Sequence, residues 1–101
     1  MWLFVFFDLP VTTKPDRKRA THFRKALLSE GYTRLQWSVY AVHCSGEEQA
    51  LTRRNQIRQG LPPHGHVRML PVTDRQFGRM HVFVGKKRVP PESEPDQMLL
   101  F

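Results

Sequence analysis

Hydrophobic and polar positions recur at two different periods along this chain, and each change of period marks an element. Residues Trp2-Leu3-Phe4-Val5-Phe6-Phe7 are six apolar side chains in a row, closed by Asp8 and then by Pro10. The run is short and rich in aromatic and β-branched residues, which predicts a strand. Side chains alternate along a strand, so Leu3, Val5 and Phe7 form one face and Trp2, Phe4, Phe6 and Asp8 the other. Both faces are apolar and both call for cover. The period then lengthens. Ala20, Phe23, Leu27 and Glu30 fall on one helical stripe with Ala26 beside it, while Arg17, Lys18, Arg24 and Lys25 spread over the other sides. Thr13 is a capping residue with Asp16 at the capping-box position, Pro15 suits a first turn, and Gly31 is a natural stop. A helix is predicted over Lys14 to Glu30.

Alternation returns between Tyr32 and Cys44, with Trp37, Val39 and Ala41 against Ser38, Tyr40 and Val42. This predicts one or two strands, with a bulge or turn near Gln36. Ser45-Gly46-Glu47-Glu48 reads as a second capping box, with Ser45 as cap, and opens a helix carrying Ala50, Leu51, Arg54 and Ile57 to about Gln59. Gly60 ends it and Leu61-Pro62-Pro63-His64-Gly65 is a loop. Val67, Met69 and Leu70-Pro71-Val72 make a strand, and Pro71 places it at an edge or a strand end. Thr73 to Gly78 reads as a connecting turn, Met80 to Val84 as a short strand and Gly85-Lys86-Lys87-Arg88 as a basic turn. Val89 to Asp96, rich in proline and acid, is an extended linker. Gln97 to Phe101 is a short apolar tail. The order strand, helix, strands, helix, strand, strand predicts an α+β, ferredoxin-like βαββαβ sandwich: an antiparallel sheet with two helices on one face and an extra C-terminal strand. Residues 1–85 form that domain, and 86–101 supply the basic turn, linker and tail. Two helices cover only one face of the first strand. If Leu3, Val5 and Phe7 lie under them, Trp2, Phe4 and Phe6 need another cover, most simply a second copy across a two-fold axis. The apolar tail reads equally as a strand exchanged onto a partner's sheet edge or as a segment folded back on its own body.

Charge adds a partner to this picture. The 101 residues carry a net charge of +7. All 16 Lys and Arg lie within residues 1–88, where they outweigh six of the nine acids; residues 89–101 hold Glu92, Glu94 and Asp96 and no base. A body so basic points to a polyanion, nucleic acid first, against the plainer reading of a solvated surface. Lys14, Arg17, Lys18, Arg19, Arg24 and Lys25 form one cluster and Lys86, Lys87 and Arg88 another. Such clusters contact phosphates without reading bases. No aromatic ladder is interleaved with them and the RNA-recognition signature is absent, so a duplex backbone is the expected target. The single cysteine, Cys44, allows no intrachain disulfide and implies a reducing compartment, the cytoplasm. The N-terminal run lacks a basic n-region and is too short to span a membrane.

Of the nine acids only Asp8 ends a hydrophobic strand. A carboxylate placed there loses part of its hydration and calls for a cation or for donors. Oxygen ligands suit Mg²⁺, and a dimer pairing the two Trp2/Phe4/Phe6 faces would bring two Asp8 copies together. An Asp accepting backbone N–H groups in the Asp-Leu-Pro turn is the alternative. His22, His43, His64, His66 and His81 show no metal-ligand spacing and read as solvated or packed. Cys44 has no CxxC partner and reads as a buried thiol. There is no nucleophile elbow, phosphate loop or GxGxxG.

Taken together, Phe6-Phe7-Asp8-Leu9-Pro10, the basic helix with Phe23, Gly31-Tyr32, Gln36-Trp37-Ser38-Val39-Tyr40, Gly65-His66-Val67-Arg68 and Leu70-Pro71-Val72-Thr73-Asp74-Arg75-Gln76-Phe77 give a resemblance. The chain resembles the CRISPR-associated (Cas) protein two family, the small subunit of the spacer-acquisition machinery, over nearly all of residues 1–88. It is most similar to the form found in systems with a Cas-nine effector. The resemblance implies a ferredoxin-like homodimer with a C-terminal strand added to the partner's sheet. It implies that Asp8 is the strand-end acid at the dimer interface and the Mg²⁺ ligand of a metal-dependent endonuclease. It also implies a clamp that bridges integrase dimers and holds a protospacer duplex, with Lys14, Arg17, Lys18, Lys86, Lys87 and Arg88 as DNA contacts. Two readings therefore stand beside each other: a DNA-binding, integrase-bridging scaffold, and a metal-dependent nuclease using paired Asp8 carboxylates. A free-standing metal-dependent endoribonuclease and an RNA-binding ferredoxin-like module are the alternatives.

Overall fold

The computed structural model describes residues 1–95. The expected extra strand over Gln97–Phe101 lies outside them. Four strands form one antiparallel sheet: β1 (Trp2–Asp8), β2 (Thr33–Gln36), β3 (Val39–His43) and β4 (His66–Val72), in the order β2-β3-β1-β4. This order, with α1 (Lys14–Ser29) between β1 and β2 and α2 (Glu47–Gln59) between β3 and β4, is that of a ferredoxin-like α+β domain. Pro71 lies on β4, an edge strand, where its missing donor is tolerated.

The odd face of β1 is the floor under the helices. Leu3 and Val5 are fully buried and Phe7 nearly so, in one cluster with Phe23 and Leu27 of α1, Ala50 and Ile57 of α2, and Tyr40 and Val42 of β3. α1 starts at the expected cap: Thr13 is extended and its Oγ1 accepts from the Asp16 N–H at 3.2 Å. It ends one residue early, and Gly31 takes the left-handed conformation at φ 90°. Cys44 is buried in the same core, and burial pushes its thiol up from its usual range.

Several expected details are corrected. Ser45 does not cap α2. The cap is Gly46, which offers no side chain, and the Ser45 N–H instead donates to Gln49 Oε1 at 2.6 Å. Thr73–Gly78 is more than a connection. Thr73 and Gln76 form a reciprocal capping box that opens a short helix, α3 (Asp74–Gly78). It carries Phe77 onto the even face of β1, where the Trp2 and Phe77 rings stack with centroids 4.0 Å apart. Trp2 is consequently 4% exposed within a single chain. The premise that Trp2 needs cover from outside therefore fails; Phe4 and Phe6 are half-buried. After α3, β5 (Val82–Val84) and β6 (Lys87–Val89) make a hairpin that is a sheet of its own. It spans the boundary expected at 85/86, so Lys87 and Arg88 lie on a strand and only Gly85 and Lys86 form the turn.

Candidate functional site

The even face of β1 becomes less covered from its start to its end. Register sets its neighbours: Trp2 is flanked by His43 and Val72, Phe4 by Ala41 and Leu70, Phe6 by Val39 and Arg68, and Asp8 by His66. In-register residues share a face. At the Trp2 end, Phe77 and Met80 pack over Trp2 and its sheet neighbours Ala41, Leu35 and Val72. The row of rings continues from Phe77 to Phe4, a tilted pair, and from Phe4 to Phe6, a stacked one, each with centroids 5.5 Å apart. Beyond Phe6 the cover stops. Leu70 is 50% exposed beside Phe4, and Asp8, His66 and Arg68 are exposed.

Asp8 thus stands at the open end of an aromatic ridge. In the single chain its side chain is exposed. Its backbone is fixed by Gly65. A Cβ at Gly65 would fall 2.5 Å from the Asp8 carbonyl oxygen and 3.0 Å from the Leu9 Cα, and Gly65 has φ +91°. Only glycine lets the loop before β4 close so tightly on the end of β1. This role is absent from the sequence reading of Gly65-His66; the available signal is a loop glycine directly before a strand.

Asp8 is one carboxylate per chain. Among the described residues, the His, Asp and Glu ligand atoms that converge within 4.8 Å are those of His43, Asp74 and Glu94, not those of Asp8. His43 Nε2 lies 3.0 Å from Asp74 Oδ1 and 3.9 Å from Glu94. Hydrogen bonding from the N-terminal ammonium, and secondarily from His43, holds the Asp74 carboxyl below its usual range. The site residues expected from sequence do not converge on this cluster.

The basic residues fall into two groups on separate elements. On α1, Lys14, Arg17, Lys18, Thr21, His22 and Lys25 line a shallow groove of about 400 Å³ in which every titratable side chain is basic. Arg17 also acts within the fold. Its guanidinium donates to the Val11 and Thr12 carbonyls at 3.2 and 3.1 Å and so ties the β1–α1 loop to the helix. Lys86, Lys87 and Arg88 are exposed on the β5–β6 hairpin. One aromatic side chain, Trp37, stands beside the α1 cluster, short of the aromatic ladder that single-strand binding uses. It is 71% exposed, with the Arg34 guanidinium 4.0 Å and the Arg24 guanidinium 5.5 Å from its ring centre. No helix among the described residues is long and apolar enough to cross a membrane.

The chain matches a known family and curated relatives in sequence. The family model described as "CRISPR associated protein Cas2" matches residues 1–80. The chain is 46% identical over 101 residues to the "CRISPR-associated endoribonuclease Cas2" of Parvibaculum lavamentivorans, covering 100% of both chains. It is 43% identical over 101 residues to the protein of the same name in Flavobacterium psychrophilum, covering 100% of this chain and 88% of the relative. It is 46% identical over 101 residues to that of Paracidovorax avenae, covering 100% of this chain and 94% of the relative. With the sheet order, the strand-end acid and these matches in place, the chain belongs to the CRISPR-associated Cas2 family.

Proposed function

We propose that this chain is a nucleic-acid-binding protein of CRISPR spacer acquisition, a cytoplasmic homodimer that holds a protospacer duplex and bridges integrase subunits. The observation that carries this reading is the groove on α1, where Lys14, Arg17, Lys18, His22 and Lys25 meet with no carboxylate among them. Such a surface neutralises phosphates without reading sequence. The Lys86-Lys87-Arg88 hairpin adds a second cationic contact. The test is duplex affinity against salt. Lys14→Ala/Lys18→Ala is expected to shallow the log–log slope by about 0.9 for each phosphate that is no longer neutralised. An unchanged slope removes α1 from the interface.

A second reading is favoured by the relatives, which are named endoribonucleases. In it, Asp8 carries phosphodiester hydrolysis. Mg²⁺ is commonly held by one or two carboxylates together with substrate phosphates. One Asp8 meets the lower bound, and two copies across the Phe4/Phe6 seam meet the upper. When bound, the ion would supply positive charge at the scissile phosphate and a more acidic water. Gly65 holds the backbone of Asp8 in place, and exposed His66 and Arg68 stand on the same face for the substrate's anionic oxygens. RNA and DNA cleavage by wild type and Asp8→Ala, assayed with Mg²⁺, tests it. Loss in the variant supports the assignment, and equal cleavage by both removes Asp8 from any hydrolysis.

A further inference from the structure

Trp37 is the most exposed large apolar side chain among the described residues, at 71%, and belongs to neither hydrophobic cluster. It sits in the turn between β2 and β3, where packing does not ask for an indole. Its surroundings are specific nonetheless. Regular alternation would put Arg34 and Trp37, three residues apart, on opposite faces of the strand. The register of β2 against β3 shifts between Arg34 and Gln36, and this bulge resets the alternation. Arg34 pairs with Tyr40, whose side chain is buried under the helices, so Arg34 lies on the helix side of the edge strand. There its guanidinium lies over the Trp37 ring, and Arg24 reaches the same ring from α1.

Arg24 ties the ring to the basic helix. Arg17, Thr21 and Arg24 follow one another at helical spacing, with Lys18 and Lys25 alongside, so the cationic groove runs toward Trp37. The turn also lies at the Asp8 end of the sheet, since the Phe7 N–H donates to the Ser38 carbonyl at 3.1 Å. A line of cations that stops at an open aromatic ring is the arrangement that binds an unpaired nucleotide: phosphates on the cations, base on the ring.

We propose that Trp37, backed by Arg34 and Arg24, is a base-stacking site for an unpaired nucleotide at the end of a bound nucleic acid. The proposal rests on the reading of α1 as a phosphate-binding surface, and the experiment separates the two. Full-length protein is titrated with three DNA duplexes of equal length: blunt, with a four-thymidine overhang, and with a four-residue abasic overhang of equal charge. The thymidine overhang is expected to bind tighter than the abasic one. Trp37→Ala is expected to lose about 5- to 150-fold on the thymidine overhang alone, the range for one stacked base, and Trp37→Phe to keep most of it. Trp2 is buried, so quenching of emission by the thymidine overhang reports on Trp37 and vanishes in Trp37→Phe. Equal binding of thymidine and abasic overhangs overturns the stacking site while the duplex reading stands. Failure to bind any duplex overturns that reading and the site with it. A change of mass in light scattering for Trp37→Ala assigns the ring to self-association and overturns the stacking site.

Discussion

Gly65 is where one missing methyl group fixes the geometry of the candidate site. Its φ of +91° is strained for any side chain, and a Cβ would meet the Asp8 carbonyl at 2.5 Å. Gly65→Ala must therefore move the end of β1. It is expected to cost at least about 2 kcal/mol in urea denaturation and to weaken any cleavage that depends on Asp8. Gly78 is the control. Nothing lies within 4 Å of its added Cβ, so Gly78→Ala is expected to be neutral or to stabilise by up to about 1 kcal/mol. Tyr32 gives a second residue-scale test. Its hydroxyl is buried without a hydrogen-bond partner among the described residues, and burial pushes its pKa up to about 12, against the opposing pull of Arg53. Between pH 10 and pH 12 the unfolded chain releases this proton and the folded chain keeps it, so stability falls as pH rises through that window. Tyr32→Phe is expected to abolish that part of the alkaline loss, read as melting temperature against pH.

At the scale of elements, α3 has the largest consequence for its five residues. It seals the Trp2 end of the even face through one side chain, Phe77, which is 3% exposed. Phe77→Ala is expected to cost about 3–5 kcal/mol and to expose Trp2, seen as a red shift of its emission. Thr73→Ala removes the cap that opens the helix and is expected to cost about 1 kcal/mol. The main elements were legible because their signals are local and periodic. The apolar run of β1, the stripe Ala20/Phe23/Leu27 and the proline on β4 each state their own structure. α3 was not legible, since a five-residue helix has no period to read; its signal was the Thr73/Gln76 pair, which resembles a turn. The meeting of Trp37 with Arg34 was hidden for a related reason. The sequence places a bulge or turn near Gln36, but the face that Arg34 takes beside it is decided by pairing with β3, not by the residues of β2 alone. Asp8 itself was legible as a carboxylate closing an apolar strand. The fit of Gly65 against it was not, because the two stand far apart in sequence and meet only once β4 pairs with β1.

At the scale of the whole molecule, half of the even face is left uncovered in the single chain. Phe4 and Phe6 stack on each other and stay half-buried, Leu70 is 50% exposed, and Asp8 closes the row. A second copy brought face to face would cover this patch with itself. It would also bring two carboxylates together at the end of the seam, and like charges held close oppose association unless a cation lies between them. The proposed dimer is therefore expected to respond to divalent metal. Light scattering over a dilution series should give twice 11.9 kDa at high concentration, with dissociation at lower concentration in Mg²⁺ than in chelator. Asp8→Asn removes the repulsion and the metal ligand at once. Its dimer is expected to be tighter than wild type in chelator and indifferent to Mg²⁺. Phe6→Glu places two further charges in the seam and is expected to give monomer. If wild type is monomeric throughout, or if Asp8→Asn leaves the metal response intact, the two acids do not meet, and Asp8 acts singly at the end of its strand.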